Sequence, residues 1–147
     1  MAKAVVATGA ATSTQEVFDR WLKDGGDAAV EIDRISLDQG LAYGRAIGAR
    51  MSMAHPHTLR GFALVEEIVR TYRDEGLEGL EALYGPYAQA EQRPWLELAS
   101  KYDMVATGGS DFHGEATPHV ARPTVDIPEP YASAIVDWLE MDVPLAG

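Results

Sequence analysis

The stretch MVATGGSDFHG, Met104–Gly114, reads as an apolar strand that runs through two glycines into an aspartate and a histidine two places apart. Glycine lets the backbone turn sharply or come close to another group. In extended chain, residues at i and i+2 project the same way, so Asp111 and His113 can aim at one centre. Two upstream segments read as companion strands. ARMSMAHP, Ala49–Pro56, is expected to be a short buried strand ended by Pro56, with His55 at its end and His57 just beyond. LEGLEALYG, Leu77–Gly85, is expected to be another.

Helical patterns separate these strands. SLDQGLAYGRAIGAR has a capping box, Ser36 with Gln39, then apolar Leu41, Ala42 and Ala46, and Gly48 as a stop. GFALVEEIVRTYRDEG places Leu64, Val65, Ile68, Val69 and Tyr72 on one helical face, followed by Gly76. QAEQRPWLELASKYD is a third pattern, in which Pro94 is expected near the first turn, where proline is tolerated. RPTVDIP reads as a fourth strand and YASAIVDWLEM as a last helix. Upstream, TSTQEVFDRWLKDGG pairs Ser13 with Glu16 ahead of apolar Val17, Phe18, Trp21 and Leu22, and Gly25 and Gly26 stop that helix. Strands separated by helices imply parallel pairing and an α/β fold. In such folds the C-terminal ends of the strands carry the chemistry. His55, Asp111 and His113 fall at those ends.

The composition suits a chain of this kind. At 147 residues, with 46% hydrophobic and 24% charged residues, it has enough apolar material for one sizeable core. No apolar run reaches membrane-spanning length, and MAKAVVATGAATS lacks the pattern of a secretory signal. With no cysteine there is neither a disulfide framework nor a thiolate ligand, and a cytoplasmic location is the default expectation. A net charge of −11 argues against binding duplex DNA through its phosphates. It leaves room for a small phosphorylated substrate, because metal ions supply positive charge locally.

Imidazole nitrogen with carboxylate oxygen suits Zn²⁺, Mn²⁺ or Fe²⁺, and the strand ends offer such donors in His55, with His57 two places on, and in Asp111 and His113. Other candidates are open to more than one reading. Arg60 is either a bidentate phosphate contact or a solvated residue before a helix. His57 is a substrate contact, a group supporting a ligand, or an exposed loop histidine. His119 lies in a loop that can approach the site mouth. Glu81, in LEALYG, either orients a ligand histidine or is solvated. Trp21, Trp95 and Trp138 lie on apolar helical faces and read as core or interface groups rather than a base-stacking platform.

The segments MSMAHPHTLR and GLEGLEALYGPYAQAEQRPWLELASKYDMVATGGSDFHG, with the residues between them, resemble the C-terminal half of the PHP (polymerase and histidinol phosphatase) family of metal-dependent phosphoesterases. The branch most resembled contains small phosphatases and exonucleases acting on nucleotides and RNA ends. The resemblance runs from about Ser13 to Ile127. It implies a distorted β/α barrel with divalent metals at the C-terminal ends of the strands, and His55, Asp111 and His113 as ligands. It further implies that residues 1–35 are the end of a small helical insertion and residues 36–147 the C-terminal part of the barrel.

The departure from the family is that its opening Asp-x-His-x-His motif has no counterpart, because no histidine precedes His55. Three protein ligands suit a single ion with open positions, not a multi-metal clamp. The expectation is therefore a phosphoesterase of nucleotide or short RNA phosphate esters, using Mn²⁺, Zn²⁺ or Fe²⁺ (Mg²⁺ as an alternative), with this chain weak or inactive alone. A half-barrel also exposes strand edges and apolar surface, which invites a homo-oligomer. The alternative is a non-catalytic binding or oligomerisation module derived from a PHP domain. A third reading is a self-sufficient single-metal hydrolase.

Overall fold

The computed structural model describes residues 1–30, 33–114, 120 and 123–140. The chain divides into two compact units, Met1–Ile35 and Ser36–Gly147.

The first unit is helical. Helix α1 spans Ala2–Ala7 and α2 spans Thr14–Val17. The Ser13 hydroxyl accepts the Glu16 N–H at 3.1 Å, while the Glu16 carboxylate reaches back to the Thr12 N–H at 2.8 Å and the Thr12 hydroxyl at 2.7 Å. The expected single helix does not continue regularly. Phe18–Leu22 form a wider π turn closed by the Lys23 N–H on the Phe18 carbonyl. That extra residue per turn rotates the apolar stripe, so Val17 is buried while Phe18 is 52% exposed.

The second unit is an α/β layer built on a parallel sheet, as the alternation of patterns predicts. Helix α3, Leu37–Ala46, starts at the complete Ser36–Gln39 capping box. Strand β1 is Ser52–Met53, helix α4 is Phe62–Tyr72 and strand β2 is Gly79–Tyr84. Helix α5, Gln89–Lys101, leads to strand β3, Val105–Gly109, and helix α6 is Tyr131–Glu140. The sheet order is β1-β2-β3 with every pairing parallel, Ser52 opposite Gly79 and Gly79 opposite Val105.

The core lies between this sheet and its helices. Leu80 and Ala82 of β2 and Ala106 of β3 meet Val65 and Val69 of α4 and Leu98 and Ala99 of α5. Burying a side chain such as Leu80 or Leu98 contributes about 1.5–3 kcal/mol each. Trp138 is buried too, with its indole N–H donating to Glu78 at 2.6 Å, and Trp95 packs against the core.

Four expectations are corrected. Strand β1 is two residues long and not buried, because only those residues pair with β2, and Pro56 opens a 3₁₀ turn after it. Leu64 is 39% exposed, at the margin of the α4 stripe rather than on it. Pro94 sits in the second turn of α5, not the first. It is exposed, so the Ala90 carbonyl that loses its partner stays in contact with water. RPTVDIP forms no strand among the described residues, and the sheet has three strands there rather than four.

Candidate active site

At the C-terminal ends of the three strands, side chains from each converge. His55 follows β1, Glu81 and Tyr84 lie on β2, and Asp111 and His113 follow β3. The His55 Nε2 stands 3.5 Å from Asp111 Oδ1 and 3.6 Å from Glu81 Oε2. The His113 Nδ1 stands 3.4 Å from the same Asp111 oxygen and 2.8 Å from the Asp111 carbonyl. The fold thus brings together all three residues expected to bind metal.

Backbone geometry aims them. His55 and Asp111 both take left-handed conformations, φ 49° and 55°. Such values are uncommon outside glycine and persist where surrounding structure imposes them. The two glycines ahead of Asp111 have a steric reason. A Cβ on Gly109 would stand 2.6 Å from Glu81 Oε1, and one on Gly108 would stand 2.8 Å from the Leu83 carbonyl oxygen. Only bare backbone lets β3 lie this close to β2 and to its carboxylate.

Glu81 is not solvated. It is the buried charged residue of this site, and its Oε2 accepts the His55 backbone N–H at 2.7 Å. A carboxylate taken out of water is retained where hydrogen bonds satisfy it, and this one fixes the turn that carries His55. Glu81→Ala is expected to cost about 1–3 kcal/mol by stranding that N–H, and Glu81→Gln, which keeps an acceptor, distinctly less. Urea unfolding of the two variants side by side checks this. Equal losses would mean the hydrogen bond is not what the residue supplies.

Tyr84 is a site residue that the sequence reading missed. Its hydroxyl donates to Asp111 Oδ2 at 3.0 Å. Strict alternation puts residues 81 and 84 on opposite faces. Here Glu81 pairs with Thr107 but Leu83 with Gly108, so β2 advances two residues against one and carries an extra residue at Ala82. That bulge brings Tyr84 to the cluster. Burial, and then the neighbouring Asp111 carboxylate, push the Tyr84 hydroxyl above its usual range, so it remains a donor at neutral pH.

The remaining candidates differ. His57 is not an exposed loop residue. Its ring lies 4.7 Å from that of Tyr84 and 4.8 Å from that of Tyr87, and its Nδ1 is buried without a hydrogen-bond partner. Arg60 is exposed ahead of α4 and joins none of these contacts. His119 lies outside the described residues.

The donor set has the chemistry of a divalent-ion site. Two donors about 2.1 Å from a tetrahedral ion stand about 3.4 Å apart, close to the spacing of His55 Nε2 and Asp111 Oδ1. The contacts from His55 through Asp111 to His113 run as a chain, however. Among the described residues no group of three or more His, Asp or Glu side chains is arranged around one point to hold an ion. The residues fit a metal as donor types and, in His55 and Asp111, as a pair, and not as a closed cage.

No protein-family model matches the chain. It is 32% identical over 100 residues to a phosphoribosyl 1,2-cyclic phosphate 1,2-diphosphodiesterase from Eggerthella lenta, a match covering 67% of this chain and 37% of that protein. It is 27% identical over 144 residues to a 3',5'-nucleoside bisphosphate phosphatase from Chromobacterium violaceum, covering 96% of this chain and 49% of that one. In fold it is similar to an amidohydrolase from Chromobacterium violaceum, with a TM-score of 0.69 and 24% identity over 88% of this chain and 45% of the other. A protein described as a metal-dependent phosphoesterase from Bifidobacterium adolescentis gives a TM-score of 0.64 and 20% identity over 92% of this chain and 48% of the other. The chain therefore spans half or less of the length of these relatives. No helix among the described residues is long and apolar enough to cross a membrane. The two sequence relatives are named as a phosphodiesterase and a phosphatase, and the two solved structures show that the chain shares their fold.

Proposed function

We propose that this chain is the C-terminal part of a PHP-type phosphoesterase acting on phosphate esters of nucleotides or short RNA ends. The observation that carries this reading is the meeting of His55, Asp111 and His113 at the strand ends, beside a buried carboxylate. The names of the two sequence relatives, both acting on phosphate groups, support it.

In this reading His55 Nε2 and Asp111 Oδ1 are donors to Mn²⁺, Zn²⁺ or Fe²⁺, with Mg²⁺ as the alternative. His113 holds its Nδ1 proton against the Asp111 carbonyl, which makes Nε2 its lone-pair nitrogen. A bound ion acidifies water and polarises a phosphoryl oxygen. Glu81 keeps His55 in place through its backbone N–H. Arg60, His57 and His119 are proposed contacts to the phosphorylated substrate, Arg60 by its guanidinium. Three donors make a weak site, so the chain alone has little or no activity, and a second copy pairing through the half-barrel surface is the proposed oligomer. The spread-out donor geometry favours one competing reading, a non-catalytic binding or oligomerisation module.

Elemental analysis separates the two. Metal-free protein is reloaded with Mn²⁺, Zn²⁺ or Fe²⁺, beside a His55→Ala, Asp111→Ala double variant. Close to one ion per chain in the wild type and none in the variant is the expected result. No ion in either protein favours the module.

A further inference from the structure

Asp111 has a problem that its neighbours solve. The last torsion of an aspartate side chain is broad and roughly two-fold, so nothing intrinsic decides which oxygen faces which way. Asp111 also sits on a left-handed backbone immediately past the end of a strand, where no ladder hydrogen bond steadies it. Yet its two oxygens are sharply divided in their contacts. Oδ1 faces both imidazoles, at 3.5 Å from His55 and 3.4 Å from His113, and Oδ2 receives one phenolic proton, from Tyr84 at 3.0 Å.

We infer that Tyr84 is the positioning residue of this site. It holds Asp111 Oδ2 and thereby presents Oδ1 beside the His55 Nε2. This rests on the metal-site reading given above and deepens it.

Tyr84 is built for the task. It is 9% exposed, and its ring is wedged 4.7 Å from that of His57, 5.1 Å from that of Tyr87 and 5.7 Å from that of His55. Packed on three sides and hydrogen-bonded at its tip, the tyrosine directs its hydroxyl at Asp111. The bulge at Ala82 is what delivers it to this side of the sheet. Tyr87 and His57 then support the ring without touching Asp111.

The test is calorimetric titration of this chain with Mn²⁺ alone. The proteins are the wild type, Tyr84→Phe, Asp111→Asn, the Tyr84→Phe/Asp111→Asn pair, and Tyr87→Phe as a control for losing a neighbouring hydroxyl. Tyr84→Phe keeps the ring and removes only the hydroxyl. Residues that orient metal ligands are typically worth 10–100-fold in affinity. About tenfold weaker binding in Tyr84→Phe, no change in Tyr87→Phe, and no further loss on adding Tyr84→Phe to Asp111→Asn are the expected results. Equal weakening in both tyrosine variants would assign the effect to the loss of any hydroxyl near the site rather than of the Asp111 contact, and overturn the inference. Wild-type affinity in Tyr84→Phe, with binding lost in Asp111→Asn, would overturn the positioning role and leave the metal reading standing. Binding that ignores Asp111→Asn, or no binding by the wild type, would overturn both.

Discussion

Leu80→Ala is expected to lower the unfolding free energy by about 3 kcal/mol, the middle of the range for truncating a fully buried leucine. Leu80 has no exposed surface and lies in the central strand of the sheet, with α4 and α5 packed over it. The neighbours cannot close the hole easily. Val65 and Val69 are β-branched and held by their own helix, and β2 is pinned by pairing on both sides. The loss therefore includes a cavity term as well as the transfer of the missing carbons. Urea denaturation followed by circular dichroism measures it, with an unchanged slope showing that the native state is otherwise intact. Leu64→Ala is the comparison, and at 39% exposure it should cost well under half as much. Equal losses would mean that the core is not centred on β2.

The second large effect is expected at Gly108. A Cβ there would meet the Leu83 carbonyl oxygen at 2.8 Å and the Leu83 Cβ at 2.9 Å. Both belong to a paired strand, so neither yields by rotating a flexible side chain. Gly108→Ala must push β3 away from β2, and overpacking of this kind costs about 1–3 kcal/mol. It should weaken Mn²⁺ binding as well, since Asp111 and His113 ride on the end of β3. Gly109→Ala provides the contrast. Its clash, 2.6 Å to Glu81 Oε1, is with the end of a side chain. The expectation there is a smaller stability loss in thermal melts with a comparable loss of Mn²⁺ affinity. A Gly108→Ala protein as stable as the wild type would show that β3 does not need bare backbone at this position.

Much of the fold was legible because its signals are local. The Ser36–Gln39 capping box forms as read, since both partners sit within one turn of helix. The stripe from Val65 to Tyr72 buries as read, since a helix repeats its own face. Strands β2 and β3 follow from short apolar runs, and their parallel pairing follows from the helix that must cross between them. Where the reading failed, a distant contact had decided the matter. RPTVDIP has the composition of a strand but no paired edge among the described residues. Phe18 lost its helical face to a single extra residue in one turn. Of the two readings open for Glu81, a group orienting a ligand histidine or a solvated carboxylate, only the fold decides against the second, by bringing the His55 N–H, 26 positions earlier, to meet it.

The sequence by itself determined the α/β class, the order of the elements and the placement of His55, Asp111 and His113 at strand ends. Each of those depends on patterns a few residues long. Only the tertiary structure decided how these groups face one another. The bulge at Ala82 and the bare backbone of Gly108 and Gly109 are matters of register between two strands more than twenty residues apart. So is the Tyr84 hydroxyl on Asp111, which no period of 2 or 3.6 encodes. A side chain's direction beyond its own element is fixed by what packs against it, and that is written in the fold rather than in any one segment.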